Sequence, residues 1–450
     1  MTALEGSDLL IASLAEHGPK TGEEVHDVAA ELIRDGSLAV GTRLPTIRQL
    51  AQRSGLSTRV IVAAWGSLRR EGLIETKRRG GTVVAGAAGA ASRSWAERDL
   101  LTGSPDHDLQ PDLTAAMLAG LRTEQLNNPG REYITDRLRD AMLANWPFRP
   151  ESMVTASGGS EGLLLAVEAA AAPNSLVAVE EPVIPGFLDT LAEVGCRVIG
   201  IESDECGARA ESLADALRQR PSVVVLQPEG AYSEAGSLTS QRATELAAVL
   251  AAAEHRPWIV EDDAIGPLAH AQAPSLGAAF PDTTVRVRSY CKAYGMDLKT
   301  CVIGGSAHLI ERAIRLRVHG IAANSRILQN ALVHLVSDPD TRAVVATART
   351  RYRTRRTALV EALRERGVAA RSGPNSLVVW VEVKDETGAL IELARLGISV
   401  GPGARSFVGQ TAQGRLRIAV PQLPDDPHGI AELADAVAAV AGAVHREFLD

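Results

Sequence analysis

The apolar positions near the N-terminus recur with the spacing of an amphipathic helix. From about Ser7 to Asp35, apolar residues return at helical intervals, and Gly36 follows where such a helix would end. A second helical stretch begins after Leu44-Pro45, where Thr46 can act as the N-cap. The pattern therefore predicts two helices ahead of the glycine at position 55.

A third helix and a hairpin complete this N-terminal region. Gly55 predicts a tight turn, and Ser57 can cap a helix over Thr58–Glu71. Two short strand-like runs follow on either side of a basic turn, over residues 73–76 and 82–84. Helix, helix, tight turn, helix and β-hairpin form a winged helix-turn-helix, which we predict over residues 1–84.

Beyond this head, short apolar runs alternate with helical stretches. Residues 85–98 are mostly small and polar and predict a flexible linker. The apolar runs that are typical of buried strands are 176–179, 197–201, 223–226, 258–260, 284–287 and 301–303. This alternation predicts a mostly parallel sheet covered by helices on both faces, in a large α/β domain over residues 99–330.

A helical region and a smaller α/β segment close the chain. Helical periodicity extends from Leu309 to Arg366, and strands are expected near 377–383 and 416–420. We therefore predict an interdomain helix and a small C-terminal α/β subdomain over residues 331–450.

The net charge of −8 is unevenly distributed. Between Glu31 and Gly80, ten Arg and Lys residues face four Asp and Glu, so this region carries +6 and the rest carries −14. A basic head on an acidic body is typical of a nucleic-acid-binding module fused to another domain. No apolar run approaches the roughly 20 residues that span a bilayer. With no visible signal peptide and no metal-type cysteine spacing, we predict a cytoplasmic protein without a membrane partner.

Several residues of the head have the chemistry of DNA contacts. A recognition helix needs short polar or basic side chains at its start, because that end enters the major groove. Cationic side chains pair with phosphates, and glycine lets a wing approach the DNA backbone closely. The residues that meet these needs are Ser57, Thr58 and Arg59 at the helix start, Arg43 and Arg48 for phosphates, and Gly81 in the wing.

The segment Gly41-Thr-Arg-Leu-Pro-Thr-Ile-Arg-Gln-Leu-Ala51, followed by Glu71-Gly-Leu-Ile-Glu75, closely resembles the GntR family of bacterial regulators. The resemblance implies binding to a double-stranded DNA operator, with contacts from Arg43, Thr46 and Arg48. That family usually has Ser-Arg-x-Thr-Val at the recognition helix. This chain has Ser-Thr-Arg-Val-Ile from position 57, with the arginine displaced by one.

The body contains three features that could together hold a cofactor. Lys292 follows an apolar run, and an amine shielded from water can stay neutral and hold a carbonyl as an imine. Glu261-Asp262-Asp263 stands where the end of a strand opens onto a site. Thr155–Glu161 precedes a helix expected over 162–172, and the free N–H groups of a helix start suit an anion. A lysine, a carboxylate and a phosphate cup are what pyridoxal 5′-phosphate (PLP) requires.

In this order and spacing, the features resemble fold-type I aminotransferases, and the whole chain resembles the MocR/GabR subfamily of GntR regulators. The likeness implies that Lys292 forms the Schiff base and that Asp263 partners the pyridinium nitrogen. Phosphate contacts would come from Gly159, Ser160 and Ser289. Arg417 would bind the carboxylate of an amino-acid-like effector, because its planar fork can bond a carboxylate twice.

The chain departs from that family at five places. Lys299 replaces an arginine that binds phosphate, keeping the charge without the fork, and Cys291 replaces a serine. The asparagine motif becomes Tyr232-Ser-Glu-Ala235, Ile184 replaces the aromatic residue that stacks on the ring, and a Tyr-Gly-x-Pro-x-Gly segment is scarcely recognisable near 129–134.

Three hypotheses follow. The first is a homodimeric transcriptional regulator in which an effector amine exchanges with Lys292 on PLP and shifts the domain between conformations. The second is an active aminotransferase with an added head, which the lost asparagine and aromatic residue argue against. The third is a regulator with a degenerate body that binds no cofactor.

Overall fold

The computed structural model describes residues 3–34, 36–39, 41–70, 73–77, 81–84, 95–123, 126–128, 130, 132–320, 323–409 and 413–443. The chain forms two compact units. One comprises residues 1–98 with 393–399, and the other comprises residues 99–392 with 400–450.

The first unit contains four helices and a β-hairpin. In chain order they are α1 (Ala3–His17), α2 (Gly22–Arg34), α3 (Ile47–Ser54), α4 (Thr58–Arg70), β1 (Ile74–Lys77) and β2 (Gly81–Val84). The single helix expected over Ser7–Asp35 is wrong. Gly18 has a φ of +57° and is followed by a proline, and together they separate α1 from α2.

Local chemistry fixes the ends of α3 and α4. Thr46 caps α3 in a reciprocal capping box with Gln49, as the sequence predicted for the N-cap. Gly55 ends α3 in the left-handed conformation at φ +73°, and Ser57 Oγ accepts the Val60 N–H at 3.3 Å. The fully buried Leu50 and Trp65 then join the two helices to one apolar core.

Part of the predicted linker is structured. Residues 85–94 lie outside the described residues. Residues 95–98 form a helical turn in which Trp95 is buried and Arg98 lies over its ring. A flexible linker is therefore wrong for this last stretch, because a buried aromatic side chain restricts it.

The second unit is built on a seven-stranded sheet. In sheet order its strands are β3 (Ser152–Ala156), β11 (Cys301–Gly305), β10 (Thr284–Ser289), β9 (Trp258–Asp263), β8 (Val223–Leu226), β4 (Leu176–Glu180) and β5 (Arg197–Ile201). Only β11 runs antiparallel to its neighbours, so the predicted mostly parallel sheet is correct. A separate small hairpin pairs β6 (Ser203–Asp204) with β7 (Gly207–Ala208).

Helices surround this sheet. They are α5 (Leu113–Leu121), α6 (Asp136–Leu143), α7 (Gly159–Ala170), α8 (Phe187–Glu193), α9 (Ala210–Arg218), α10 (Ser240–Ala252), α11 (Cys291–Tyr294), α12 (Ala307–Leu316), α13 (Arg326–Ser337) and α14 (Pro339–Glu365). The predicted helical region 309–366 is thus three helices, because Ser325 and Asp338 each cap a new start. Helix α7 begins at Gly159, three residues earlier than expected.

A four-stranded antiparallel sheet completes the second unit. Its order is β12 (Ala370–Arg371), β13 (Val378–Val383), β15 (Gly414–Ala419) and β14 (Gly401–Pro402), with helices α15 (Glu386–Arg395) and α16 (Pro427–Ala441). This small sheet is anchored to the large one through the segment after β8. There the Trp380 indole N–H donates to the Tyr232 carbonyl at 2.8 Å.

Candidate functional site

A cavity of about 500 Å³ lies at the carboxyl ends of the strands of the large sheet. The sequence-predicted residues that line it are Gly159, Ser160, Ser289, Lys292, Lys299 and Arg417. Asp263 does not line it, whereas its neighbour Asp262 does. The structure therefore brings together six of the seven residues expected at this site.

The start of α7 and the end of β10 form a cup suited to an anion. Gly158 has a φ of +102°, and a Cβ at Gly159 would lie 2.8 Å from the Ser289 Cβ, so the close approach requires glycine. Because α7 begins at Gly159, its first N–H groups have no partner within the helix. The exposed Lys299 adds a positive charge at the same cavity.

Lys292 has a largely buried amine. It lies in α11 on the connection between β10 and β11, whose ends Ser289 and Cys301 are direct partners in the sheet. Its Nζ donates to the Gly103 carbonyl at 2.6 Å. Burial, together with the nearby Arg417, lowers the pKa of the amine to about 8. A neutral, nucleophilic fraction is therefore present near neutral pH.

The expected pyridinium partner, Asp263, faces the wrong side of its strand. Successive side chains of a strand point to opposite faces, so Asp262 faces the cavity and Asp263 the other side of β9. Asp263 accepts hydrogen bonds from Arg288 Nε at 2.6 Å, Arg286 Nη2 at 3.2 Å and the Gly266 N–H at 2.9 Å. Burial opposes its ionisation, but Arg286 and Arg288 hold the pKa of Asp263 below its ordinary value.

Asp262, and not Asp263, has its carboxylate at the cavity, where the partner of a pyridinium nitrogen was expected. It is 5% exposed, and burial raises its pKa to about 7, with a further contribution from Asp263. Among the described residues, none donates a hydrogen bond to its carboxylate. A cationic or protonated ring nitrogen in the cavity would supply the missing donor.

The far side of the cavity presents a second cation. Arg417 is 4% exposed, and its Nη1 donates to the Leu101 carbonyl at 2.9 Å. Its buried Nε has no hydrogen-bond partner among the described residues, and burial lowers its pKa. A Cβ at Gly401 would lie 2.4 Å from Arg417 Nη2, so the guanidinium occupies space that only glycine leaves. A carboxylate would satisfy this group well.

The departures from the aminotransferase pattern lie in the same cavity. Ile184, Tyr232 and Cys291 all line it, together with the small Ala264 two residues after Asp262. Of the segment expected near 129–134, residues 129 and 131 lie outside the described residues. The sequence analysis missed Asp262 and Ala264. Because side chains alternate between the two faces of a strand, residues 262 and 264 point the same way, and this alternation is the signal that could have found them.

The head residues predicted to bind DNA are mostly exposed. On α3 and α4, Thr46, Arg48, Ser57, Thr58 and Arg59 all face solvent. Arg43 is also exposed and lies at the wing, where residue 43 pairs with Val83. A Cβ at Gly81, whose φ is +78°, would lie 3.2 Å from the Arg43 guanidinium. The wing turn over residues 78–80 lies outside the described residues.

Two other site classes find no support in the described residues. No group of three or more His, Cys, Asp or Glu side chains there is placed to hold a metal ion. No helix in that part of the chain has the length and apolarity needed to cross a membrane.

Comparison with known families separates the two units. The model for "Aminotransferase class I and II" matches residues 99–437, and the model for "Bacterial regulatory proteins, gntR family" matches residues 21–84. These matches confirm the predicted winged helix-turn-helix and the predicted aminotransferase-like body.

Known regulators are similar over almost the whole chain. The vitamin B6 salvage pathway transcriptional repressor PtsJ of Salmonella typhimurium is 27% identical over 418 residues, covering 90% of this chain and 95% of PtsJ. The HTH-type transcriptional regulator TauR of Rhodobacter capsulatus is 23% identical, covering 92% of this chain and 96% of TauR. An archaeal alanine:glyoxylate aminotransferase structure shares the fold, with a TM-score of 0.68 at 16% identity, covering 76% of this chain and 89% of its own.

Proposed function

The chain belongs to the class I and II aminotransferase family and carries a GntR-type DNA-binding head, and we propose that it regulates transcription by sensing an amine or amino acid through PLP held at Lys292. One observation carries the proposal: Lys292, Asp262 and the start of α7 line a single cavity. PtsJ, a repressor of a vitamin B6 salvage pathway by its name, supports a link to PLP.

The residues present fit this cofactor. The Asp262 carboxylate lacks a donor that a pyridine nitrogen would provide, and Gly159 permits the close approach that a phosphate needs. Phosphate would be held by Gly159, Ser160, Ser289 and Lys299. When bound, PLP supplies an aldehyde that condenses reversibly with amines and a ring that withdraws electrons.

Three side chains of the protein would bind the cofactor and the effector. Lys292 presents a partly neutral amine, and Asp262 holds a proton at the ring nitrogen. Arg417 binds the effector carboxylate through its fork. Asp262 and Arg417 are buried and Lys292 is partly buried, and this reduced contact with water strengthens each of these interactions.

Effector binding would also release a segment of backbone. Lys292 Nζ donates to the Gly103 carbonyl, and Arg417 Nη1 donates to the Leu101 carbonyl. A ligand that takes over both cations competes with both carbonyls. The segment 99–104 directly follows the stretch that leads to the head, so we propose that its release carries the signal toward DNA.

The cavity lacks two groups that support turnover in the related enzymes. Ile184 cannot stack as an aromatic ring does, and Tyr232 stands where the related enzymes have an asparagine. Both changes relax control over the ring that transamination requires. An assay for pyridoxamine phosphate with a panel of amino acids tests this: repeated turnover would establish an active aminotransferase instead.

Absorbance spectroscopy tests attachment at Lys292. On addition of PLP, we expect the wild type to develop an absorbance band near the visible edge that Lys292→Ala lacks completely. Lys384→Ala serves as the matched control and should behave as the wild type. Lys384 directly follows β13 in the small sheet and does not line the cavity. Identical spectra for wild type and Lys292→Ala would refute the proposal, and no band in either would favour a body without cofactor.

The rate of attachment should depend on pH. Only the neutral amine attacks an aldehyde, and the pKa of Lys292 is about 8. We expect the rate constant to be half-maximal near pH 8 and to level off by about pH 9, below the ordinary lysine pKa of about 10.4. Stopped-flow absorbance at a fixed PLP concentration measures it; a rise that continues to pH 10 would contradict a buried amine.

The assembly and location belong to the same proposal. A single helix-turn-helix reads one half-site, so we propose a homodimer that reads two. A DNA partner and four free thiols fit the cytoplasm. Analytical ultracentrifugation of the full chain with and without its operator tests the dimer.

A further inference from the structure

A second cavity, of about 490 Å³, lies on the other side of strand β10 from the first. The two cavities share a wall whose neighbouring residues face opposite ways. On β10, Ser289 lines the cofactor cavity and Arg288 lines the second cavity. Around α11, Lys292 lines the first, and Tyr290 and Tyr294 line the second.

A buried cluster of ion pairs lines part of this second cavity and contains one more carboxyl group than guanidinium groups. The guanidinium of Arg286 is fully buried and pairs with Glu229, Glu261 and Asp263, while Arg288 pairs with Asp263. Three carboxyl groups thus face two guanidinium groups. Such an excess is costly in a buried site unless a proton or another cation neutralises it.

Glu229 is the carboxyl group of the cluster that lines the cavity. Its Oε1 accepts from Arg286 and from the Ala273 N–H at 3.3 Å, but its buried Oε2 has no partner among the described residues. Burial and the nearby Asp263 raise the pKa of Glu229 to about 8, so it holds a proton at neutral pH. A cationic donor entering the cavity would pair with Oε2 and replace that proton.

The opposite wall is basic and apolar. Arg342 and Arg349 lie seven residues apart on α14, two turns along one face, and both line the cavity. Arg349 Nη2 donates to the Pro267 carbonyl, but its buried Nε has no partner within the described part of the chain. Between these polar ends lie the stacked rings of Tyr290 and Tyr294 and the aliphatic Val345.

We propose that this second cavity binds an α-amino acid with an apolar side chain, separately from the cofactor cavity. Glu229 receives its ammonium group, Arg342 and Arg349 receive its carboxylate, and Tyr290 and Tyr294 contact its side chain. Because β10 and α11 line both cavities, occupancy of one alters the wall of the other. The chain would then read two small molecules on either side of one sheet.

Calorimetric titration of full-length Lys292→Ala protein tests this site. L-Leucine, L-phenylalanine and L-methionine are the probes, and they are titrated without PLP, so that no aldehyde is present in the cofactor cavity to condense with their amines. We expect binding by at least one of them. The two leucine analogues that lack one charge, isoamylamine and 4-methylpentanoate, should bind at least tenfold more weakly.

Proton release gives a second readout. At pH 7 the ammonium group displaces the Glu229 proton, so the apparent enthalpy should vary with the ionisation enthalpy of the buffer. The charged groups around Glu229 are Arg286, Arg288, Glu261 and Asp263. The pKa values of the two arginines are raised and that of Asp263 is lowered, so these three groups keep their ionisation at this pH. Glu229→Gln should abolish this buffer dependence.

Exposed residues provide variants that leave the core intact. Arg342→Ala removes a cation, and Ala346→Trp fills the cavity. Each variant should weaken binding at least tenfold. Arg353→Ala, on the exposed face of the same helix and outside this cavity, should leave it unchanged. Absence of binding by all three amino acids, or binding lost in Arg417→Ala but kept in Arg342→Ala, would overturn the proposal. These outcomes are independent of the PLP spectrum, which tests Lys292 alone.

Discussion

Asp263→Ala is expected to lower the free energy of unfolding by roughly 3–5 kcal/mol, the range found when one partner of a buried ion pair is removed. The change leaves Arg288 and part of Arg286 without their carboxylate inside the protein. It also removes the acceptor for the Gly266 N–H. Chemical denaturation followed by circular dichroism measures this loss.

Asp262→Asn is the matched control because it changes the adjacent residue on the opposite face. Its stability should equal or exceed that of the wild type, while affinity for PLP falls about 10- to 100-fold, as for a lost charged hydrogen bond. A destabilisation by Asp262→Asn as large as that of Asp263→Ala would contradict the assignment of the two faces.

Asp262 should also make the stability of the protein depend on pH. The pKa of Asp262 in the folded protein, about 7, lies above its ordinary value, so the folded state binds the proton more tightly. The cofactor-free wild type should therefore lose stability relative to Asp262→Asn as pH rises from about 4 to about 7. Denaturation midpoints of both proteins at pH 5, 6 and 7 measure the divergence.

Arg59→Ala is expected to weaken operator binding about 10- to 100-fold, corresponding to the roughly 1–3 kcal/mol of a base-reading arginine. Arg59 is exposed in the first turn of α4, where a recognition helix meets base edges. Arg48→Ala, by contrast, should weaken binding to all sequences alike and lower the salt slope by about one. Fluorescence anisotropy on an operator selected from random duplexes, over a series of salt concentrations, separates the two effects.

Arg53→Ala controls for loss of positive charge on the head. Arg53 lies on α3, as Arg48 does, but its guanidinium pairs with Asp8 on α1 at 2.8 Å. Its removal should leave operator affinity within about twofold, since an exposed pair contributes little. Equal losses for Arg53→Ala and Arg59→Ala would indicate a purely electrostatic attraction rather than a reading helix.

Much of the architecture could be predicted because its signals are local. Thr46, Gly55 and Ser57 mark the helix ends of the head through their own side chains or backbone freedom. The break at Gly18 was missed because the apolar spacing continues in phase across it, and periodicity does not register a turn that preserves phase.

The site was less predictable where it depends on strand parity and on distant residues. Glu261-Asp262-Asp263 shows that a carboxylate faces the cavity but not which one, because that depends on the register of β9 within the sheet. The second cavity has no local pattern at all. Glu229, Arg288 and Arg342 come from three separate parts of the chain and meet only in the folded unit.

The connection that carries Lys292 limits how this protein can vary. Its eleven residues, 290–300, close between Ser289 and Cys301, which are paired across β10 and β11. One inserted or deleted residue ahead of Lys292 would turn the amine by about 100° around the short helix α11, away from the cavity. A change of length between Ser289 and Lys292 would therefore remove the amine from the cavity, whereas an exchange of side chains in that stretch would keep the amine in place.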